Sequence, residues 1–347
     1  MGMKSVEKKW KMIFLFCYVV TTIVLFFLFF FDWDVRQTAA SAYALLEGHI
    51  VDFYDYNYAI EGLAKGTIYE ILIYIIFAIW NIPLYLLGVR PDGAKFTLFA
   101  IYWNKLIIVL FFFMCSIVIY KIAIEMKKTQ KYAKEIAEFW CVMPLLYFLV
   151  IIQGSYDIFY VVFMLLGVLF WLKPIKIQNN ILFNLFFGLA ICIKPFPIFY
   201  YLILLFIREK NIWKICRNGT LMIIPYVICK VLYLGSEGYQ AVMKFNSGNM
   251  YSLYFNAFTY LVPFILVYIF TCAKAYWYEC TGENELRFVK ETFYLCNIAS
   301  FAFIGFSSYH PQWIMGAIPF WIFSMFFNRE KIGYLLRLPI PKMGFAP

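Results

Sequence analysis

The sequence predicts an all-α integral membrane protein of about ten transmembrane helices, with further juxtamembrane or re-entrant helices in a first external loop. Three observations carry that expectation. The chain of 347 residues is 64% hydrophobic and only 14% charged, and its mean hydropathy is +0.76, more apolar surface than a water-soluble core can hide. Several apolar runs approach or exceed the ~20 residues that cross roughly 30 Å of hydrocarbon as a helix. In lipid, backbone hydrogen bonding leaves only helices and closed barrels as spanning structures, and these runs are too long and continuous for barrel strands.

Charge orders the elements. The net charge of +10 has its source in lysines and arginines clustered at the ends of apolar runs, as the positive-inside rule expects, and not in a nucleic-acid interface. Lys4, Lys8, Lys9 and Lys11 precede the first run, Ile13 to Phe31. No small-residue cleavage site follows, so this reads as a retained signal anchor with a cytoplasmic N-terminus. It delivers Asp32 and Asp34 to the outer face. Val35 to Leu46 has the spacing of an amphipathic helix, and a tyrosine-rich polar segment, 52–58, follows it at headgroup level.

Ile68 to Leu87 contains Glu70 and is interrupted by Asn81, Ile82 and Pro83. Counted as a full crossing, it would put Lys121, Lys127, Lys128, Lys131 and Lys134 outside, against the orientation rule. It is therefore expected to leave and return on the outer side as a juxtamembrane or re-entrant hairpin, making 32–95 one external loop. Phe96 to Tyr120 then runs inward. The remaining spans alternate through external turns at 153–157, Lys194, 235–252 and 307–312, and Arg329, Lys331 and Arg337 stay inside. Residues 1–347 thus form a single domain, with the helical bundle at 96–328 and a cytoplasmic tail at 329–347. The nine cysteines show no CxxC pair and no ligand spacing with histidine, so they read as packing residues.

Polar residues gather at the external turns: Asp32, Asp34 and Arg36; Gln153 and Asp157; Lys194; and His310 with Gln312. Each has a bland explanation taken singly, because acids mark the water boundary, lysines snorkel and glycine turns need no function. Their shared side argues for a wet cavity. Lys194 interrupts an apolar run just where Pro195 and Pro197 break the helix, and an ammonium there is a point-charge partner for phosphate. A carboxylate among Asp32 and Asp34 can serve as general base, or the two can ligate a metal. No P-loop, GxGxxG, HExxH or GxSxG triad competes.

The order of an apolar first span, the paired aspartates, "ALLEGHIVDFYD", "QGSYD", "GLAICIKPFPIF" and "SSYHPQWIMGAIPF" resembles the GT-C superfamily of polytopic glycosyltransferases. Within it, the bacterial mannosyltransferase-like members that use a polyprenyl-phosphate sugar are the most similar. The resemblance runs from Asp32 to Phe326 and rests on motif order more than on any one motif. It implies transfer of a hexose, mannose foremost, with inversion, to a glycolipid or cell-envelope polysaccharide on the outer face of the plasma membrane. It also implies Asp34 or Asp32 as base, Lys194 and His310 at the lipid phosphate, and Arg36, Gln153, Asp157 and Gln312 on substrate. No cofactor is required, and a divalent metal at Asp32 and Asp34 is the less favoured variant. The chain has no separate C-terminal soluble domain of the kind found in oligosaccharyltransferases. The alternative is a transporter, flippase or non-enzymatic partner handling lipid-linked envelope precursors. Paired halves and mid-membrane polar groups would favour that alternative; neither is evident.

Overall fold

The computed structural model describes residues 2–28, 33–60, 67–244, 262–279, 285–306 and 311–329, with side chains from Met12 onward except Glu285. Among these residues the architecture is all-α, and the only β feature is an isolated bridge between Asp92 and Lys95. The helices are α1 (Gly2–Phe26), α2 (Trp33–Leu46), α3 (Phe53–Ala59), α4 (Ile71–Leu86), α5 (Leu98–Glu125), α6 (Gln130–Val142) and α7 (Pro144–Ile152). They continue with α8 (Ile158–Leu172), α9 (Ile177–Ile193), α10 (Pro197–Arg208), α11 (Ile212–Val231), α12 (Val262–Trp277), α13 (Glu285–Phe306) and α14 (Ile318–Phe327). A 3₁₀ segment, Pro311–Gly316, leads into α14.

Local chemistry explains the boundaries. Thr97 and Thr129 cap α5 and α6, their hydroxyls accepting from Ala100 N at 3.3 Å and Tyr132 N at 3.2 Å. Pro144 cannot donate to the preceding turn, and α6 and α7 meet there at a 45° bend. Among the described residues, only α5 is long and apolar enough to cross a bilayer by itself; α6 and α7 pass the same test as one bent pair. Seven other apolar helices have 10–17 residues, shorter than a straight crossing of about 20 requires.

One expectation is corrected. The segment expected to fold back at Asn81, Ile82 and Pro83 is instead one helix, α4, which continues through them and packs against α2, α5 and α9. Pro83 lies in its last turn and withholds one N–H from the Ile79 carbonyl, yet the helix continues to Leu86. Asn81 does not break the helix because its NH2 group is satisfied, donating to Phe77 O at 2.9 Å and to Asn104 Oδ1 at 2.6 Å on α5. Beside it, Trp80 and Trp103 stack and each donates its indole N–H to the other's carbonyl.

The core is built from α5, α6, α8, α9 and α10, with Phe112, Trp140, Phe159, Phe187 and Tyr201 fully buried. A polar seam of Asn180, Asn184 and Asn218 joins α9 to α11, and the Tyr201 hydroxyl donates to Asn184 Oδ1 at 2.6 Å. Gly188 lets these two helices approach: a Cβ there would lie 2.3 Å from the Met222 carbonyl oxygen and 3.0 Å from Pro225 Cγ. Gly188→Ala should therefore force α11 outward and cost about 1–3 kcal/mol, read as a lower thermal midpoint of the purified protein. Gly219→Ala, whose Cβ meets nothing within 4 Å, should not lower it.

Candidate functional site

Two chain breaks, distant in sequence, build one polar cluster. The first follows α7, whose last turns, Tyr147–Ile152, are π-helical. Gln153 N donates to Phe148 O at 2.8 Å and Ser155 N to Leu149 O at 2.9 Å. Between them Gly154 takes φ +71°, a left-handed conformation that glycine enters without the Cβ penalty. This turn sets Asp157 at the N-terminus of α8, wholly buried. The second break ends α9 at Ile193. Lys194 precedes a proline and is extended (φ −149°, ψ 146°), and Pro197 opens α10 at a position where its missing N–H is harmless.

The two breaks meet through their charges. Lys194 Nζ lies 2.6 Å from Asp157 Oδ1 and 2.8 Å from Oδ2, with side-chain exposures of 6% and 0%. Two aromatic rings flank the ammonium, with centroids at 5.6 Å for Tyr69 and 5.9 Å for Trp313, close enough for cation–π attraction. The Asp34 carboxylate, at the start of α2, acts electrostatically on Lys194, Tyr69 and Tyr156. The Tyr156 ring packs edge-on against Tyr69, with centroids 5.6 Å apart.

Gln153 Nε2 donates to Gln312 Oε1 at 3.1 Å. Gln312 and Trp313 ride on the 3₁₀ segment, which packs on α8 so closely that a Cβ at Gly316 would stand 2.9 Å from the Tyr160 hydroxyl. Of the residues singled out in the sequence, Asp34, Asp157 and Lys194 therefore share one electrostatic cluster, and Gln153 pairs with Gln312 at the same end of the bundle. Arg36 is half-buried on α2. Asp32 and His310 lie outside the described residues.

Lys194 was expected to offer its charge to a phosphate, and Gln153 and Gln312 to offer their amides to substrate hydroxyls. Instead, Asp157 holds Lys194 and the glutamines hold each other. An incoming phosphate would therefore meet a neutral pair and would have to compete with a carboxylate. An ammonium has three N–H donors, so the pair can still contribute one while Asp157 keeps it oriented.

A second ionic group escaped the sequence reading. Glu70, immediately before α4, lies 3.2 Å from Lys230 Nζ near the end of α11 and accepts from the Tyr239 hydroxyl at 3.0 Å. Asp55 Oδ1 accepts from Ser236 Oγ at 2.9 Å and Gly238 N at 2.7 Å, and the Tyr233 hydroxyl donates to Ile50 O at 2.8 Å. Ile50, Asp55 and Glu70 are thereby strapped to 230–239. The signal was present, since Glu70 and Lys230 each interrupt an apolar run, but nothing local pairs residues so far apart. Tyr69 and Glu70 are neighbours that face different ion pairs, so the short segment before α4 links the two groups. No three His, Cys, Asp or Glu side chains converge as a metal site among the described residues.

No protein-family model, curated protein or solved structure matches the chain.

The buried pair yields a direct test. Removing one partner strands the other's charge, so Asp157→Asn or Lys194→Met alone should destabilise by about 3–5 kcal/mol, whereas the double variant should recover much of that loss. Thermal unfolding of the three variants measures the coupling. Additive losses would show that the pair is not the unit.

Proposed function

We propose that this chain is a polytopic membrane glycosyltransferase of the GT-C type. On this reading it moves a hexose from a polyprenyl-phosphate carrier to an envelope glycolipid or polysaccharide. The membrane part of the reading is supported by the exterior. Large apolar side chains stand exposed on several helices, among them Phe14 and Phe16 on α1, Phe99 on α5, Phe270 on α12 and Phe301 on α13, all 61–70% accessible. Soluble monomers rarely expose contiguous apolar surface on that scale; a bilayer covers it at no cost.

The observation that carries the catalytic part is the clustering of Asp34 with the Asp157–Lys194 pair at one end of an otherwise apolar bundle. Ionisable groups in such surroundings are costly and mark substrate paths. The chemistry follows from the groups present. Asp34, half-buried at the start of α2, accepts the acceptor hydroxyl's proton as its oxygen attacks the anomeric carbon. The bond to the phosphate oxygen breaks on the opposite face, giving inversion. Lys194, oriented by Asp157, faces the charge that grows on the departing phosphate, and Tyr69 and Trp313 wall the sugar. Preorganised charge of this kind is worth a few kcal/mol at the transition state.

The test is transfer from a polyprenyl-phosphate hexose in membranes. Asp34→Asn should lower the rate by about 10²–10⁴, the usual contribution of a general base, while expression and melting stay intact. Full activity in Asp34→Asn and also in Asp32→Asn would sink the assignment.

Sidedness has its own measurement. Val51 is 84% exposed on the proposed outer side, and Lys134 is 73% exposed on the proposed inner side. With the exposed Cys17 and Cys216 replaced by serine, an impermeant maleimide applied to intact cells should label Val51→Cys and spare Lys134→Cys. The reverse pattern would invert the topology.

A further inference from the structure

The ends of the bundle differ in charge. Asp157 and Lys194 lie at one end of α8 and α10, and about 18–22 Å away along those helices is a cavity of about 680 Å³. It is formed where α5, α8 and α10 end and α13 begins. Among the described residues, Lys127, Lys128, Lys173 and Arg208 line it together with the carboxylate Glu125. One wall is aromatic, with Trp171 and Phe288 stacked at 5.5 Å between ring centroids.

We infer that this cavity binds the anionic headgroup of a membrane phospholipid, a role distinct from the transfer site but resting on the same membrane reading. Arg208 supplies the fixed element. Its guanidinium donates to Trp171 O at 2.7 Å and Lys173 O at 3.2 Å, which closes the end of α8 and holds the charge at the cavity wall. Around Lys128 the like charges of Lys290 and Arg329 accumulate, and burial together with these neighbours lowers its pKa. Among the described residues, Glu135 pairs with Arg329 at 3.0 Å and Glu209 with Lys214 at 3.8 Å. An anion in the cavity would relieve the crowding that remains around Lys128.

Two features select a lipid over free phosphate. The cavity joins its cations to an apolar wall, and Ile175 at its mouth is 79% exposed, offering acyl chains a surface beside the charge. Basic pockets between apolar helices are the arrangement that captures anionic headgroups, with about 1 kcal/mol from each lysine or arginine near the surface.

The experiment uses the full-length protein in phosphatidylcholine bilayers containing a photoactivatable phosphatidylglycerol. Crosslinks should map to 171–175 and 286–289. The triple variant Lys127→Gln, Lys128→Gln, Lys173→Gln should lower that labelling by roughly tenfold or more, with an unchanged melting midpoint in zwitterionic micelles to show that it is folded. Glu125→Gln should raise labelling, and a photoactivatable phosphatidylcholine should not concentrate there. Undiminished labelling in the triple variant overturns the proposal, as does displacement of the lipid by millimolar-range inorganic phosphate, which would make this a soluble-anion site. Alkaline extraction of membranes separates the two readings: release of the chain into the supernatant defeats the membrane reading itself, whereas retention with unaltered labelling defeats only this inference.

Discussion

The Asp157–Lys194 ion pair is the constraint around which this molecule is arranged. Removing two charges from water costs several kcal/mol for each ion, and their attraction repays it only when the geometry is good and the remaining hydrogen-bonding capacity is used. Here both carboxylate oxygens lie within 2.8 Å of the ammonium, and the surrounding rings of Tyr69 and Trp313 add a weaker attraction. The local distortions serve that contact. π-helical turns and a left-handed Gly154 aim Asp157 inward, and two prolines stop α9 so that Lys194 can meet it.

The same rule governs the other charges within the apolar bundle. Lys105 is fully buried on α5, and its ammonium donates to Phe26 O at 2.6 Å, Leu28 O at 2.7 Å and Ile152 O at 3.4 Å. It uses carbonyls that helix ends leave without partners, and so ties the end of α1 to the end of α7 just before the Gly154 turn. Glu70 and Lys230 do comparable work between the first loop and the end of α11. Three cationic anchors thus converge on the end of the bundle that carries Asp34. At the other end the cations crowd one another instead. Matched charge can hold a fixed geometry, and on the reading proposed above the basic end is the one that takes an anionic headgroup.

Much of this was legible in the residues. The long apolar runs announced helices, Pro195 and Pro197 announced the break beside Lys194, and Gly154 announced the turn that presents Asp157. The error at α4 came from treating Asn81 and Pro83 as breakers. Whether an asparagine breaks a helix depends on whether its amide finds a partner, and Asn104 lies on a different helix. Glu70 and Lys230 were visible as interruptions of apolar runs, but as single residues they could only be explained away.

The sequence by itself determined the helical class, the sites where helices stop and the set of polar residues that apolar surroundings do not explain. Those are local properties, decided by propensity, prolines, glycines and hydrophobic runs within a few residues. Only the tertiary structure decided the partnerships: Lys194 with Asp157, Gln153 with Gln312 and Glu70 with Lys230. These contacts join residues 37 to 160 positions apart. Coulomb and hydrogen-bond terms act over a few ångströms of space and carry no trace in sequence separation, so the packing of α8, α9 and α10 had to exist before any of these charges could be assigned a neighbour.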